Sequence, residues 1–327
     1  MMNKSAKLIE NLFDPAISQK PTRDGYGAGV IEAAKKNPDV VVMCADLTDS
    51  TRSTEFKKLF PERFIQAGVH EQFLAAGAAG LALGGKIPYI TSYAMFCPGR
   101  AWEQVRTNIC LNDVKVNIVG SHAGVSVGPD GATHQAIEDI AIMRAIPNIT
   151  VIAPCDAIEA EKATVAVAES KGPSYVRYAR EKTPVFTTKA TPFRIGKAVT
   201  LRDGKDAAII GCGPLLYNCL KAAEALAKEK IDVRVINCHT VKPLDQKAVL
   251  KAAKECGAIV TVEEHQVTGG LGGAVAEYLA KTAPTPQEFI GVQDKFGESG
   301  EPLELVEHFG MGVSHIKAAV KRVLKRK

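Results

Sequence analysis

Residues 39–47 read DVVVMCADL, a run of β-branched and other apolar residues that ends at polar ones. A strand with this sequence is apolar on both faces, which is typical of a central strand in a parallel sheet covered by helices on each side. Similar runs occur at 114–122, 148–154, 174–179, 206–213, 232–240 and 258–265. Ala-rich segments with helical spacing occupy 24–37, 135–146, 156–171 and 213–230. This alternation predicts an α/β fold with two doubly wound, mostly parallel sheets.

The length of the chain suggests two domains, because 327 residues exceed the usual size of one core. The segment between the two predicted units is rich in Pro, Thr and Lys and shows no periodicity, which is typical of a linker. We therefore predict an N-terminal extension at 1–19, a first domain at 20–184, a linker at 185–197 and a smaller second domain at 198–327.

The composition excludes several classes of function. Hydrophobic residues make up 46% and charged residues 24% of the chain, as in ordinary soluble globular proteins. The net charge of +5 is scattered apart from a basic C-terminal tail, which argues against nucleic-acid binding. The eight cysteines form no CxxC pair, which argues against a zinc site and a secreted disulfide scaffold. No apolar run suits a signal peptide or a membrane span, so we expect a cytoplasmic protein.

A Gly-rich turn at 209–220, IIGCGPLLYNCL, follows a predicted strand and opens a predicted helix. Such a turn can hold a phosphate group at the helix N-terminus. However, the dinucleotide fingerprint GxGxxG is incomplete here, and no acidic residue ends the next predicted strand. The turn therefore does not favour a dinucleotide-binding protein.

A lone carboxylate lies in an apolar segment near the middle of the first predicted domain. Glu71 is the one acidic residue in FIQAGVHEQFLAAGAAGLALGGKIPY at 64–89, and it precedes a Gly/Ala-rich run with helical character. A carboxylate there can interact with the helix dipole. Alternatively, an apolar pocket disfavours the charged form, so that the carboxyl group can share a proton with a ring nitrogen of a ligand. The segment by itself leaves both interpretations open.

Polar motifs are spread along the whole chain. The first half contains PTRDG (21–25), ADLTDST (45–51), GVHEQ (68–72), SYAMF (92–96), GSHAGVSVGPDGATHQ (120–135) and VRYAREKTP (176–184). The second half contains VKPLD (241–245) and EEHQVTGGLG (263–272). In order and spacing these motifs resemble the pyrimidine-binding domain and the C-terminal domain of transketolases, which use thiamine diphosphate.

The resemblance implies roles for particular side chains. Glu71 is the expected catalytic carboxyl group, which holds a proton on the pyrimidine ring of the cofactor. His122 is also expected to be catalytic and to line the channel to the cofactor. Tyr93 and Phe96 are expected to stack on that ring, with Asp46 nearby. Arginine suits a terminal phosphate and aspartate accepts hydrogen bonds from sugar hydroxyls. The expected substrate-binding residues are Arg23, Ser50, Asp130, His134 and Arg180.

Two aromatic positions depart from the pattern of the family. The family usually has Phe where Tyr93 stands and often has another aromatic residue where Gly99 stands. Trp102 is a candidate to replace the missing ring.

A motif that the family uses for its metal is missing from the chain. Transketolases bind the cofactor's diphosphate through a divalent cation held by a GDG motif and a later Asn, and this chain has no GDG. The resemblance therefore implies the C-terminal subunit of a split transketolase, in which a separate N-terminal subunit supplies the Mg²⁺ ligands. The implied assembly is an α2β2 heterotetramer. The implied reaction is the reversible transfer of a two-carbon ketol unit from a ketose phosphate to an aldose phosphate, as in the pentose phosphate pathway.

Three other functions are compatible with parts of the pattern. A 1-deoxyxylulose 5-phosphate synthase shares the DGATHQ loop but usually has AEQ around the glutamate and Arg where His122 stands. The β subunit of a 2-oxoacid dehydrogenase has a similar size and needs a partner, but it lacks the GATHQ-type loop. A non-catalytic partner protein would have no use for Glu71 together with the histidines and arginines.

Overall fold

The computed structural model describes residues 1–327. The strands are β1 (Gln19–Lys20), β2 (Val40–Cys44), β3 (Phe64–Gln66), β4 (Ile87–Tyr93), β5 (Asn117–Ser121), β6 (Thr150–Ile152), β7 (Ser174–Arg177), β8 (Thr183–Pro184), β9 (Val199–Arg202), β10 (Ala207–Gly211), β11 (Val233–Asn237), β12 (Thr240–Lys242), β13 (Ile259–Gln266) and β14 (Gln287–Val292). The α-helices are α1 (Thr22–Lys36), α2 (Thr54–Leu59), α3 (Glu71–Leu83), α4 (Trp102–Gln104), α5 (Asp139–Arg144), α6 (Ala157–Glu169), α7 (Leu216–Lys228), α8 (Gln246–Cys256), α9 (Leu271–Thr282), α10 (Pro302–His308) and α11 (Val313–Leu324). Short 3₁₀ segments include Val125–Asp130, and Val105–Cys110 is π-helical.

The first sheet has seven strands in the order β12-β6-β7-β5-β4-β2-β3. All of its neighbouring strands are parallel except β12, which comes from the second half of the chain and pairs antiparallel with β6. Its central strands β2 and β5 are buried along their whole length. Every apolar run that the sequence predicts as a strand forms one, so the predicted α/β fold is confirmed.

The second sheet has five strands in the order β14-β13-β10-β11-β9, with β9 antiparallel to β11. Alternation along β10 directs its side chains to two cores. Ala207 and Ile209 lie in one core with residues of α7 and α11, whereas Ala208 and Ile210 lie in another with residues of α8 and α9. The second core also contains residues of β4 and β6, so it joins the two sheets.

The N-terminal residues pack against the second half of the chain. The backbone N–H of Asn3 donates to the carbonyl oxygen of Leu201 at 2.9 Å, and the Tyr217 hydroxyl donates to that of Leu12 at 3.1 Å. Ala6 and Leu12 are buried in the core with α7 and α11. No helix of the chain has the length and apolar character required to cross a membrane.

Candidate active site

The candidate site lies where β2, β4 and β5 end. These parallel strands are neighbours, and their last residues are Cys44, Tyr93 and Ser121. Ligands bind beyond the carboxyl ends of strands in sheets of this type, because segments distant in sequence meet there. The predicted residues Asp46, Phe96 and His122 lie within three residues of these strand ends.

Glu71 is the first residue of α3 and is 2% exposed. Its carboxylate accepts a hydrogen bond from the Ser92 hydroxyl at 3.4 Å and is paired with the Arg100 guanidinium at 3.2 Å. Glu71 is therefore both a carboxylate at a helix N-terminus and a carboxyl group removed from water. Arg100 was not predicted from the sequence, although a basic residue four positions after Phe96 is a usable signal.

Four rings form one wall of the site. The Tyr93 ring stacks on His122 with centroids 3.9 Å apart and an interplanar angle of 18°, and it lies 6.0 Å from Phe96 at 13°. His134 meets Phe96 edge-on at 5.3 Å. The Arg100 guanidinium lies over the Phe96 ring, 5.1 Å from its centre. The fold thus brings all four rings together, but one face of Tyr93 is already covered by His122.

The local backbone explains the departure at Gly99. A Cβ atom at Gly99 would lie 2.0 Å from the carbonyl oxygen of Met95, so a side chain does not fit. Trp102 does not replace the missing ring at the site. Its indole N–H donates to the carbonyl oxygen of Ile142 at 3.0 Å, and the side chain packs against the core.

His122 is buried and neutral at the end of β5. Burial, assisted by the charge of Arg23, lowers the pKa of His122 to about 3. Its Nε2 atom lies 3.1 Å from the Arg23 guanidinium and its Nδ1 atom 2.8 Å from the Ser121 hydroxyl. Because an arginine can only donate, Nε2 is the acceptor and Nδ1 carries the hydrogen. The residue adopts φ 55°, the left-handed region, a local strain of the kind found at functional sites.

The predicted oxyanion-binding residues meet at two places. Arg23 donates to the backbone carbonyl oxygen of Ser50 at 2.9 Å as well as contacting His122. Arg180 donates to the carbonyl oxygen of Val127 and pairs with Asp130, each at 3.1 Å. Burial lowers the pKa of Arg23, and the positive charges of Arg52 and Arg180 lower it further. The arginines therefore create a region of positive charge that suits an anion.

Asp46 and His134 make no side-chain hydrogen bond to the other predicted residues. Asp46 lies beyond β2, where its backbone N–H donates to the Gln66 side chain at 3.0 Å, and its carboxylate makes no hydrogen bond to the other predicted residues. His134 contacts the Thr133 hydroxyl through Nδ1 at 2.9 Å. Arg52, two residues after Ser50, was not predicted from the sequence. Its guanidinium pairs with the Asp24 carboxylate at 2.7 Å.

A cleft of about 590 Å³ is lined by Phe96, Arg100 and His134, together with Glu138 and Asp139. The buried Glu71 carboxylate and the Phe96 ring both lie within reach of Arg100, and such a pair fits a flat heterocycle that carries a ring nitrogen. The chain contains no group of three or more His, Cys, Asp or Glu side chains placed to hold a metal ion.

Comparison with known proteins identifies the family. Residues 18–185 match the model of the transketolase pyrimidine-binding domain, and residues 196–316 match that of the transketolase C-terminal domain. The chain belongs to the transketolase family. Membership of the transketolase family implies dependence on thiamine diphosphate.

Related transketolase-family proteins are also separate subunits. A protein of Methanocaldococcus jannaschii named as a transketolase C-terminal section is 43% identical, over 94% of this chain and 97% of its own length. A 6-deoxy-6-sulfo-D-fructose transketolase subunit of a Clostridium species is 38% identical, over 96% and 98%. A solved structure of a split-gene transketolase, an inactive β4 tetramer, has a TM-score of 0.88 at 41% identity and covers 93% of this chain and 98% of its own. This chain is a split transketolase-family subunit.

Proposed function

We propose that this chain is the C-terminal half of a transketolase that transfers a two-carbon ketol unit from a ketose phosphate to an aldose phosphate. The observation that carries the proposal is the burial of Glu71, whose ion-pair partner Arg100 lies over the Phe96 ring. His122, His134 and Arg23 lie at the same sheet edge. Thiamine diphosphate supplies the carbon–carbon chemistry when it is bound. The reaction would belong to pentose phosphate metabolism in the cytoplasm.

Each proposed residue has one task. Glu71 holds the proton on the ring nitrogen of the pyrimidine, since a carboxyl group away from water can share a proton with such a nitrogen. Phe96, with Tyr93 behind it, keeps that ring flat, and Asp46 lies near the cofactor. His122 accepts and donates hydrogen bonds as a neutral imidazole in the channel. Asp130 binds a hydroxyl group of the substrate. The terminal oxyanion is bound by His134, Arg23, Ser50 and Arg180.

A partner subunit completes the proposed enzyme. An N-terminal subunit would supply the Mg²⁺ and diphosphate site, in an α2β2 assembly. The surface of α3 supports such an assembly, because Phe73 is 55% exposed and Leu83 is 75% exposed on a helix that is entirely apolar after Gln72. Helices of this kind are ordinarily buried. The names of two relatives, a sulfofructose transketolase subunit and an apulose-4-phosphate transketolase subunit, support a substrate with a terminal anion.

Reconstitution tests the proposal. The purified chain is mixed with an N-terminal subunit that carries GDG and Asn, together with Mg²⁺, thiamine diphosphate, xylulose 5-phosphate and ribose 5-phosphate. We expect glyceraldehyde 3-phosphate to form only when both chains are present. Turnover by this chain alone would refute the division into half-enzymes. Formation of 1-deoxyxylulose 5-phosphate from pyruvate and glyceraldehyde 3-phosphate would favour the synthase instead.

A further inference from the structure

The side-chain amide of Gln135 lies at the boundary between the proposed substrate loop and the second domain. Gln135 is 2% exposed, and its Nε2 atom donates to the carbonyl oxygens of Val125 at 3.0 Å, Gly128 at 3.3 Å and Glu298 at 2.8 Å. Three acceptors around one atom identify it as the nitrogen. Val125 and Gly128 belong to the 3₁₀ segment that ends at Asp130, whereas Glu298 belongs to the second domain.

The second domain also packs closely against the same 3₁₀ segment. The backbone N–H of Ser126 donates to the Glu264 carboxylate at 2.7 Å. Next to the segment, a Cβ atom on Gly131 would lie 2.5 Å from the Ser299 hydroxyl oxygen, so the Ser299 side chain packs where only glycine leaves room. The segment is therefore held both by the second domain and by Arg180, which donates to the carbonyl oxygen of Val127.

Backbone hydrogen bonds connect this anchor to the proposed substrate-binding residues. The N–H of Gly131 donates to the carbonyl oxygen of Gly128 at 3.1 Å. The N–H groups of His134 and Gln135 donate to the carbonyl oxygen of Gly131 at 3.0 and 3.1 Å. A shift of the Gly128 carbonyl group would therefore move Asp130 and His134.

We propose that the second-domain segment 297–300, acting through Gln135, positions Asp130 and His134 and thereby sets the affinity for the sugar substrate. This inference rests on the proposed function of the loop. Gln135 is a positioning residue, because its side chain is buried and its NH₂ group donates only to protein carbonyl oxygens. The second domain is thus a determinant of substrate affinity as well as a structural support.

Gly297 offers a selective test of this contact. A Cβ atom there would lie 1.7 Å from Oε1 of Gln135 and 2.8 Å from its Cδ, and its three nearest neighbours are all atoms of Gln135. Gly297 is not among the residues with positive φ, so alanine is compatible with its backbone. The Gly297→Ala substitution should therefore displace the Gln135 amide and little else. Phe296→Ala is the matched control, since the Phe296 side chain in the same loop is 79% exposed.

The experiment measures steady-state kinetics of the assembled enzyme and hydrogen exchange of the isolated chain. With Gly297→Ala and with Gln135→Ala we expect KM for the sugar phosphate to rise about ten-fold, the scale of one lost hydrogen bond. Cofactor affinity and proton exchange at the thiazolium C2 atom should stay at wild-type values. Amides of residues 125–134 should exchange faster in both variants. In the Gln135→Ala background, Gly297→Ala should add no further effect.

Contrary results are readily distinguished. Unchanged KM and unchanged amide exchange in both variants would overturn the inference, as would equal effects of Phe296→Ala. A wild-type complex without transketolase activity would instead contradict the proposed function, and amide exchange in residues 125–134 would still decide whether the second domain positions the loop.

Discussion

The Arg100 guanidinium lies 3.2 Å from the Glu71 carboxylate and 5.1 Å from the centre of the Phe96 ring. It therefore interacts with both side chains, Glu71 and Phe96, that we propose to bind the pyrimidine ring of the cofactor. A guanidinium is planar, cationic and rich in N–H donors, so it presents to Glu71 and Phe96 what a protonated aminopyrimidine would present. Arg100 must leave this position for the ring to enter it.

Arg100→Ala should tighten the binding of thiamine diphosphate to the assembled enzyme. The Arg100 side chain is 54% exposed, so solvent screens the ion pair and its contribution is at most about 1 kcal/mol. The dissociation constant of the cofactor should fall by a factor of up to about five, measured by titration of the complex. Arg106→Ala, which removes an exposed arginine nearby, should leave that constant unchanged. Weaker binding in Arg100→Ala would mean that Arg100 contacts the cofactor directly.

Glu71→Gln should separate cofactor binding from cofactor activation. Glutamine keeps the shape of the side chain but cannot hold the proton on the pyrimidine nitrogen. We expect the assembled complex to bind thiamine diphosphate while proton exchange at C2, followed by NMR, slows by roughly 10²–10⁴-fold. Glu62→Gln is the control, because Glu62 is exposed. Exchange at the wild-type rate in Glu71→Gln would remove Glu71 from its proposed role.

His122 should make the protein less stable in acid. Burial lowers the pKa of His122 to about 3, below its ordinary value of 6.5, so the unfolded state binds its proton first as the pH falls. The free energy of unfolding that His122 contributes is thus fully present above pH 6.5 and decreases towards pH 3. The His122→Asn substitution removes the group that titrates, and asparagine tolerates the left-handed backbone at this position. Urea unfolding at pH 7 and at pH 4.5 should show a smaller loss in the variant than in the wild type.

The buried Arg177–Asp139 pair should be far more important for stability than an exposed pair of similar length. Their side chains are 6% and 1% exposed and lie 2.8 Å apart. Asp139→Ala leaves an unpaired buried charge, and we expect a loss of roughly 3–5 kcal/mol in urea unfolding. The Lys86–Asp39 pair is 2.9 Å long but 45% and 48% exposed. Asp39→Ala should cost less than about 1 kcal/mol, and equal costs would contradict this view of burial.

Phe73→Glu should prevent assembly without unfolding the chain. The Phe73 side chain is 55% exposed in the isolated chain, so a carboxylate there remains hydrated. Burial in an interface would remove water from the carboxylate at a high cost in free energy. Gel filtration should therefore show loss of the complex with the N-terminal subunit. Leu59→Glu, at a site 54% exposed on α2, is the control. Assembly of Phe73→Glu at wild-type affinity would exclude this face of α3 from the interface.

Local pattern predicted the elements of the fold better than their pairing. Seven apolar runs became strands because each can be buried on both faces. β4 was not predicted, since Pro88, Thr91 and Ser92 interrupt the apolar pattern, yet the parallel neighbours β2 and β5 bury it. The crossing of β12 to the first sheet was also missed, because a strand of three residues carries no information about its partner.

The predicted site residues were found by motif, and most of them converge at one sheet edge. The contacts between these site residues could not be predicted from the sequence. The Arg100–Glu71 pair depends on the direction of the chain after Phe96, and the stacking of Tyr93 on His122 depends on the register of β4 against β5. The contact of Gln135 with Glu298 joins residues far apart in the chain, so no local pattern indicates it.

The pairing of β12 with β6 has an evolutionary consequence. If the chain were cut at the linker, β6 would become an open edge with free backbone groups, which promotes aggregation. Recombination that exchanged the second domain between relatives would have to supply a β12 strand that pairs with β6 of a different protein. The two domains are therefore expected to be inherited together as one module, and gene fission is better tolerated ahead of them than between them.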